Sequence, residues 1–420
     1  MASDLIIRNI RLLTPVGPAP RAGGRQRELQ SIPDAVVVSR AGRITYAGPS
    51  SDRPKTASKA ARTIRIDGRG GTLVPGFVDP HTHVVYAGDR RSELTRRLAG
   101  ATYREIADEG GGILSTVAAT RKASEAVLVH ETRTRLDEML ACGTTTAEAK
   151  SGYALETEGE MRMLRAIRAL DRSHPVDLVP TFLGAHEVPP EYRGRRAEYV
   201  RLVIDNMIPA VASARLAAWC DVFCEEGVFT PDESRAILEA GRRAGLKLRI
   251  HADELGASGG SEVAAGVGAR SADHLVHTPP AAMKAMARAD VVATLLPCAA
   301  FYLKLGRFAP ARAFIDTGVP LALATDVNPG GGFSPSMPFA MALACFGMSL
   351  TFEEALVGAT LNAAYAIDRH ESVGSLEPGK LMDAVLVDGD AINLIRIGAP
   401  AIRLVVKRGR VVSGRSRRNG

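Results

Sequence analysis

Aromatic side chains are scarce in this 420-residue chain, at 5% of the whole with a single tryptophan. With no basic stripe interleaved with aromatics, that scarcity argues against nucleic-acid binding, which needs stacking platforms along a charged groove. Cysteine is sparse too. The five (Cys142, Cys220, Cys224, Cys298 and Cys345) are odd in number, sit mostly in apolar segments and show no CxxC spacing. Reduced, buried thiols explain them better than disulfides or a cysteine zinc site. No run of about 18 apolar residues occurs, so no membrane span is expected. Asp4, Arg8 and Arg11 interrupt the opening MASDLIIRNIRLLTP, which excludes a signal-peptide core and makes the cytoplasm the expected setting. Charge imbalance is small, at 53 basic against 46 acidic residues, a net +7. The densest basic stretch, KRGRVVSGRSRRNG (407–420), reads as a solvated terminus.

Hydrophobic and charged contents of 46% and 24% are those of an ordinary globular protein with a large core. Over the first 70 residues short alternating segments dominate, among them LIIRNIRLLT, DAVVVSRAGRITYAGP and RTIRIDGRG. Their period of two and their Gly or Pro punctuation predict strands and hairpins. The segment PVGPAPRAGGRQREL (15–29) reads as a mobile loop. The last 45 residues return to the strand style in LMDAVLVDG and AIRLVVKRGRVVSG. A small β-sandwich domain assembled from residues 1–74 and 372–420 is therefore expected.

Residues 75–371 behave differently. Eight apolar runs (LVPGFVD, TTTAEAK, LVPTFL, CDVFC, LKLRIHA, RSADHL, VVATLLP and PLALATD) alternate with helical patterns such as EAVLVHETRTRLDEMLACG and PDESRAILEAGRRAG. Eight strand–helix units predict an α/β fold, a (β/α)8 TIM-like barrel whose chemistry lies at the C-terminal strand ends.

Polar groups should then follow the apolar runs, and they do. His81 and His83 close the first, Lys150 and Tyr153 the second and His186 the third. His251, Asp253 and Glu254 follow the fifth, Asp273 and His274 close the sixth, and Asp326 and Asn328 follow the eighth. A lone His at a strand end is usually a hydrogen-bonded structural residue, and a lone Asp a helix cap. Five of nine histidines on one rim is a different matter; His130, His174, His277 and His370 fall in helices or loops.

His81, His83, His251 and Asp326 are the expected ligands of one divalent or trivalent ion per subunit, zinc or iron. Glu254, three residues beyond His251, is placed to move a proton, and His274 to orient water or hold an oxyanion. Asp326 serves the reaction as well as the ion. The fourth run exits into Cys224-Glu225 with no lysine, which argues against a carbamylated-lysine bridge and for a single metal. Asp79, ahead of the histidine pair, reads equally as a support for one imidazole or as a turn residue.

PGFVDPHTH, the exit histidine of HADEL, the DHL of the sixth strand and the TD of the eighth resemble the amidohydrolase superfamily of metal-dependent barrel hydrolases. Longer stretches, including GDRRSELTRRLAGATYREIADEGGGILSTVAATR, TTAEAKSGYALETEGEMRML, TFLGAHEVPPEY, VFCEEGVFT and TDVNPGG, are similar to one of its cyclic-amide hydrolases. The resemblance spans most of residues 75–335. It implies hydrolysis of the ring amide of 4-imidazolone-5-propanoate to N-formimidoyl-L-glutamate, in histidine degradation. Such a substrate carries a propionate, and Arg90 can hold a carboxylate through two parallel hydrogen bonds. The resemblance further implies substrate contacts at Tyr153, His186, Glu254, Asn328, Gly330 and Gly331, with Tyr103 as an additional lining residue. Relatives carry Ser or Thr where Gly331 stands, so a hydroxyl contact is replaced at most by a backbone N–H. A homodimer is expected. The alternatives are a sister enzyme such as an aromatic-base deaminase, or a non-catalytic scaffold, which would ordinarily have lost metal ligands.

Overall fold

The computed structural model describes residues 4–53, 63–101, 105–106 and 110–414. Its strands form two sheets. One comes from both ends of the chain: β1 (Asp4–Thr14), β2 (Gln30–Arg40), β3 (Arg43–Pro49), β4 (Thr63–Pro75), β13 (Ala384–Val387), β14 (Ile402–Lys407) and β15 (Arg410–Gly414). They pair into a single seven-stranded sheet in the order β15-β14-β13-β4-β1-β2-β3. Every pairing is antiparallel except β1 with β4. In β1 the register shifts between Ile7 and Ile10, where Asn9 takes a φ of +55°. That bulge keeps Leu5, Ile7, Ile10 and Leu12 in one buried cluster, with Val37, Leu73, Leu386 and Val406.

The other sheet is parallel and holds eight strands: β5 (Phe77–Asp79), β6 (Thr144–Lys150), β7 (Asp177–Ala185), β8 (Trp219–Cys224), β9 (Lys247–Ala252), β10 (Ser271–His274), β11 (Val292–Leu295) and β12 (Leu321–Leu323). Each lies within one of the eight apolar runs or overlaps it closely. Past the strand ends, β5 and β12 are joined by Asp326 N–H to His81 O (3.2 Å) and His83 N–H to Val327 O (3.0 Å). The sheet is thereby closed into the expected barrel. The helix Leu361–Ala366 packs with Val78, Val179, Trp219, Val292 and Ala322 in a cluster of its own.

Local chemistry accounts for the helices around it. Thr230 and Glu233 form a reciprocal cap on Pro231–Arg243, and Gly245 turns the chain away at φ +86°. The apolar period of AEYVRLVIDNMIPAVASARLAAW (197–219) is that of one helix, but the segment is broken into Arg196–Leu202, a wide turn Val203–Met207 and Ile208–Ser213. Pro209, which has no N–H to donate back, explains the widening.

Two expectations fail here. Within the supposed loop 15–29, Gln26 is fully buried and its amide bonds both N–H and C=O of Leu321, while Arg21 N–H donates to Asn362. Polar side chains that satisfy buried backbone groups hold this segment against the barrel. Nor is 407–414 a loose tail. Lys407 is buried, donating to Thr145 O (2.7 Å), Asp177 (2.8 Å) and Asp383 (2.7 Å), and Arg410–Gly414 is a strand. All five cysteines are free thiols, with Cys220, Cys224 and Cys298 buried. Among the described residues no helix is long and apolar enough to cross a membrane.

Candidate active site and metal centre

The five strand-exit histidines meet at the C-terminal mouth of the barrel. His81 Nε2 and His83 Nε2 are 3.2 Å apart, as are His83 Nε2 and His251 Nε2. Asp326 Oδ1 lies 3.6 Å from both His81 Nε2 and His83 Nε2. A tetrahedral ion with bonds of about 2.1 Å has ligand–ligand edges of about 3.4 Å, so these spacings are those of donors around a shared centre. Hydrogen bonding cannot account for the cluster, because Asp326 Oδ1 is a buried acceptor with no donor. Burial, with Lys150 and neighbouring imidazoles, holds His81 well below the usual imidazole pKa and keeps it a neutral lone-pair donor. Burial also lowers His83 and His274, and takes His186 to about 3.

Two of the three converging imidazoles have their outward ring nitrogens tied down, while His83 Nδ1 is buried without a hydrogen-bond partner. His81 Nδ1 donates to Asp273 at 2.7 Å and His251 Nδ1 to Asp221 at 3.1 Å, which leaves both Nε2 atoms as acceptors. His186 Nδ1 donates to Gly152 O at 3.0 Å, and its ring stacks on that of His83 at 4.8 Å. His274 Nδ1 faces Glu254 Oε1 at 3.4 Å. Burial, and then the charges of Asp326 and Glu225, push the Glu254 carboxyl well above the usual range. Glu225 holds that loop in place by accepting from the N–H groups of Glu254 (3.0 Å) and Leu255 (2.9 Å).

A cavity of about 180 Å³ opens beside these groups. It is lined by His83, His251, Asp326, Glu254, His274, Arg90, Tyr153, His186, Asn328, Gly330 and Gly331, so the structure gathers the whole expected set apart from His81, buried behind it, and Tyr103, which lies outside the described residues. Phe223 and Leu303 supply apolar wall. Arg90 is gripped by Glu93 through Nε (2.9 Å) and Nη2 (2.8 Å). Its guanidinium covers Gly330 so closely that any Cβ there would collide with it. Arg97 donates to Gly330 O from the other side.

Several expected roles change. Asp79 supports no imidazole; its carboxylate accepts from both N–H and hydroxyl of Thr325, across the closing seam of the barrel. Gly331 N–H is not free for a ligand: with Gly330 N–H it donates to Asn328 Oδ1, at 2.5 and 2.8 Å. Asn328 Nδ2 in turn bonds Asp326 O at 2.8 Å, so this side chain organises the loop that carries Asp326. Asp253 receives Ser258 N–H, Gly260 N–H and two hydroxyls, closing its own loop ahead of the helix Gly260–Val267. Lys150 points into the barrel rather than the cavity, between Glu148 and Asp221, each at 2.7 Å.

Glu148, Asp221 and Arg249 were not anticipated from the sequence, nor was Glu160. The signal was present: each of the first three is a charged residue inside an apolar strand run, and such a residue must find a partner when buried.

A buried cluster of imidazoles with one carboxylate oxygen that no donor reaches, at the C-terminal mouth of a parallel barrel, defines a metal-dependent hydrolase of the TIM-barrel type. Comparison with known proteins agrees, since the model of the amidohydrolase family matches residues 72–413. Curated relatives named imidazolonepropionase include those of Alkaliphilus metalliredigens (46% identical, covering 99% of this chain and 100% of the relative) and Geobacillus thermodenitrificans (48%, 97% of each). The chain therefore belongs to the amidohydrolase family, in its imidazolonepropionase branch. Among solved structures, a triazine hydrolase from Arthobacter aurescens superimposes with a TM-score of 0.73 at 17% identity, over 98% of this chain and 95% of that one. An N-isopropylammelide isopropylaminohydrolase from Burkholderia multivorans gives 0.67 at 20%, over 98% of each. At such identities the likeness is one of fold.

Proposed function

We propose that this site hydrolyses the ring amide of 4-imidazolone-5-propanoate, giving N-formimidoyl-L-glutamate in histidine degradation. The observation that carries the reading is the convergence of three imidazole Nε2 atoms and Asp326 Oδ1 beside a cavity that also holds Arg90. His81, His83, His251 and Asp326 would hold one metal ion. Three nitrogens and one oxygen without thiolate suit zinc or iron. Such an ion, when bound, lowers the pKa of water and polarises a carbonyl.

The chain's own groups do the rest. Arg90, braced by Glu93, pairs with the propionate, while Tyr153 and His186 face the ring. Glu254 takes the proton of the attacking water as the new C–O bond forms at the ring carbonyl. The same proton then goes to the ring nitrogen as the C–N bond breaks, so the amide opens without net proton loss. A carboxyl whose pKa is raised by burial suits both duties. His274, in contact with Glu254, holds the developing oxyanion.

The reading is tested with freshly generated substrate and elemental analysis of the purified protein. Formimino-glutamate and about one metal per chain are expected; free ammonia as product would indicate the deaminase alternative. The reading also carries a homodimer, checked by sedimentation, and a cytoplasmic setting, checked by cell fractionation.

A further inference from the structure

Beneath the imidazole cluster lies a group of charges that the reaction does not use. Glu148 on β6, Asp221 on β8, Arg249 on β9 and Asp273 on β10 surround Lys150, and all five side chains are fully buried. Lys150 Nζ donates to Glu148 Oε1 and Asp221 Oδ2, both at 2.7 Å, and lies 3.9 Å from Asp273 Oδ2. Arg249 donates to Asp273 at 2.9 Å, to Pro80 O at 2.7 Å and to Ala366 O at 3.1 Å. Two of these carboxylates are the ones that receive His251 Nδ1 and His81 Nδ1. Glu148 Oε2 accepts from Thr82 N–H at 3.1 Å, between the two histidines of β5's exit.

We propose that Lys150 is a positioning residue for the metal centre: its ammonium fixes the carboxylates that aim two of the three ligating imidazoles. The inference rests on His81, His83, His251 and Asp326 being the metal set. The two imidazoles depend on it unequally. Asp273 is also held by Arg249, so the aim of His81 has a second support. Among the described residues Lys150 is the one Lys or Arg in ion-pair distance of Asp221, which otherwise takes His251 Nδ1 and the N–H of Val222. His251 is therefore the ligand that loses its aim when the ammonium goes. Burial alone would lower the Lys150 pKa, but Asp221 and Glu148 outweigh it and hold the ammonium charged. An uncharged side chain here would leave three buried carboxylates facing one arginine, which threatens folding as well as aim.

A pair of variants separates the two effects. Lys150→Met removes the cation, and Glu148→Gln with Lys150→Met removes one charge of each sign, restoring the net balance of the cluster. Apo-protein of each is titrated with Zn²⁺ against a competing chelator, with circular dichroism and thermal melting as the measure of fold. The double variant is expected to fold and to bind Zn²⁺ about 10- to 100-fold more weakly than the wild type, the range seen when outer partners of metal ligands are removed. With Co²⁺ in place of zinc, its visible absorption should differ from that of the wild type. Wild-type Zn²⁺ affinity in either folded variant overturns the role of Lys150. A wild-type chain that binds no Zn²⁺ overturns the ligand assignment instead.

Discussion

The carboxylate of Asp79 accepts the backbone N–H of Thr325 at 3.1 Å and its hydroxyl as well, joining the first barrel strand to the last. Both residues are fully buried. One residue further on, Asp326 N–H bonds His81 O, so the same seam brings two proposed metal ligands together. Asp79→Ala strands two buried donors and should lower stability by roughly 2–4 kcal/mol. Chemical denaturation of the purified variant measures this, and zinc retention should fall with it.

Stripping the metal with a chelator should abolish turnover and leave the far-ultraviolet circular dichroism unchanged, because the barrel's stability resides in its apolar core. Adding zinc or ferrous ion back should restore activity. His81→Ala and Asp326→Ala should be inactive, fold normally and retain no stoichiometric metal. Turnover by a metal-free preparation would refute the mechanism.

Arg90→Ala should raise KM about 10- to 100-fold with a smaller change in kcat, the loss expected for a charge-assisted pair to a substrate carboxylate. An unchanged KM would remove Arg90 from substrate binding.

The glycines after Asn328 are unequal. A Cβ at Gly330 collides with the Arg90 guanidinium, and one at Gly332 with Asp326 O, whereas the nearest neighbour of a Cβ at Gly331 is the Leu303 side chain, at 3.4 Å. Gly330→Ala should thus mimic the KM defect of Arg90→Ala, and Gly332→Ala should cost metal binding. Gly331→Ser should be accommodated with near wild-type stability. Steady-state kinetics and metal content of the three purified variants check the order.

Glu160 accepts Gly152 N–H (2.7 Å), Ala154 N–H and Leu155 N–H (both 2.8 Å), fixing the loop that carries Tyr153 and the carbonyl bound by His186. Glu160→Gln replaces an acceptor oxygen with a donor among these N–H groups. It should lower kcat/KM by roughly ten- to a hundredfold through misplaced ring contacts, with metal content intact. Measured kcat/KM equal to wild type would make this clamp dispensable.

Eight apolar runs with polar residues at their exits were enough to read the barrel, its rim and the histidine cluster from the sequence, because a parallel strand buried on both faces leaves a continuous apolar signature. Partnerships between distant residues were not legible. Nothing near Asp79 says that it meets Thr325, 246 positions further on. Residues 15–29 look like a mobile loop for the same reason: the burial of Gln26 depends on a strand almost 300 positions away. Lys150 looked like a cavity residue because strand alternation gives a side chain's face only once the strand's exact end is known.

The buried ammonium of Lys407 has one further consequence. It reaches from the end sheet to Thr145 O and Asp177 on the barrel and to Asp383 beside it. Cutting the chain to its central portion would strand these groups in an apolar setting. The barrel is therefore not a transplantable module: fragments lacking either terminus should be recovered in inclusion bodies, and the intact chain should melt as one cooperative unit.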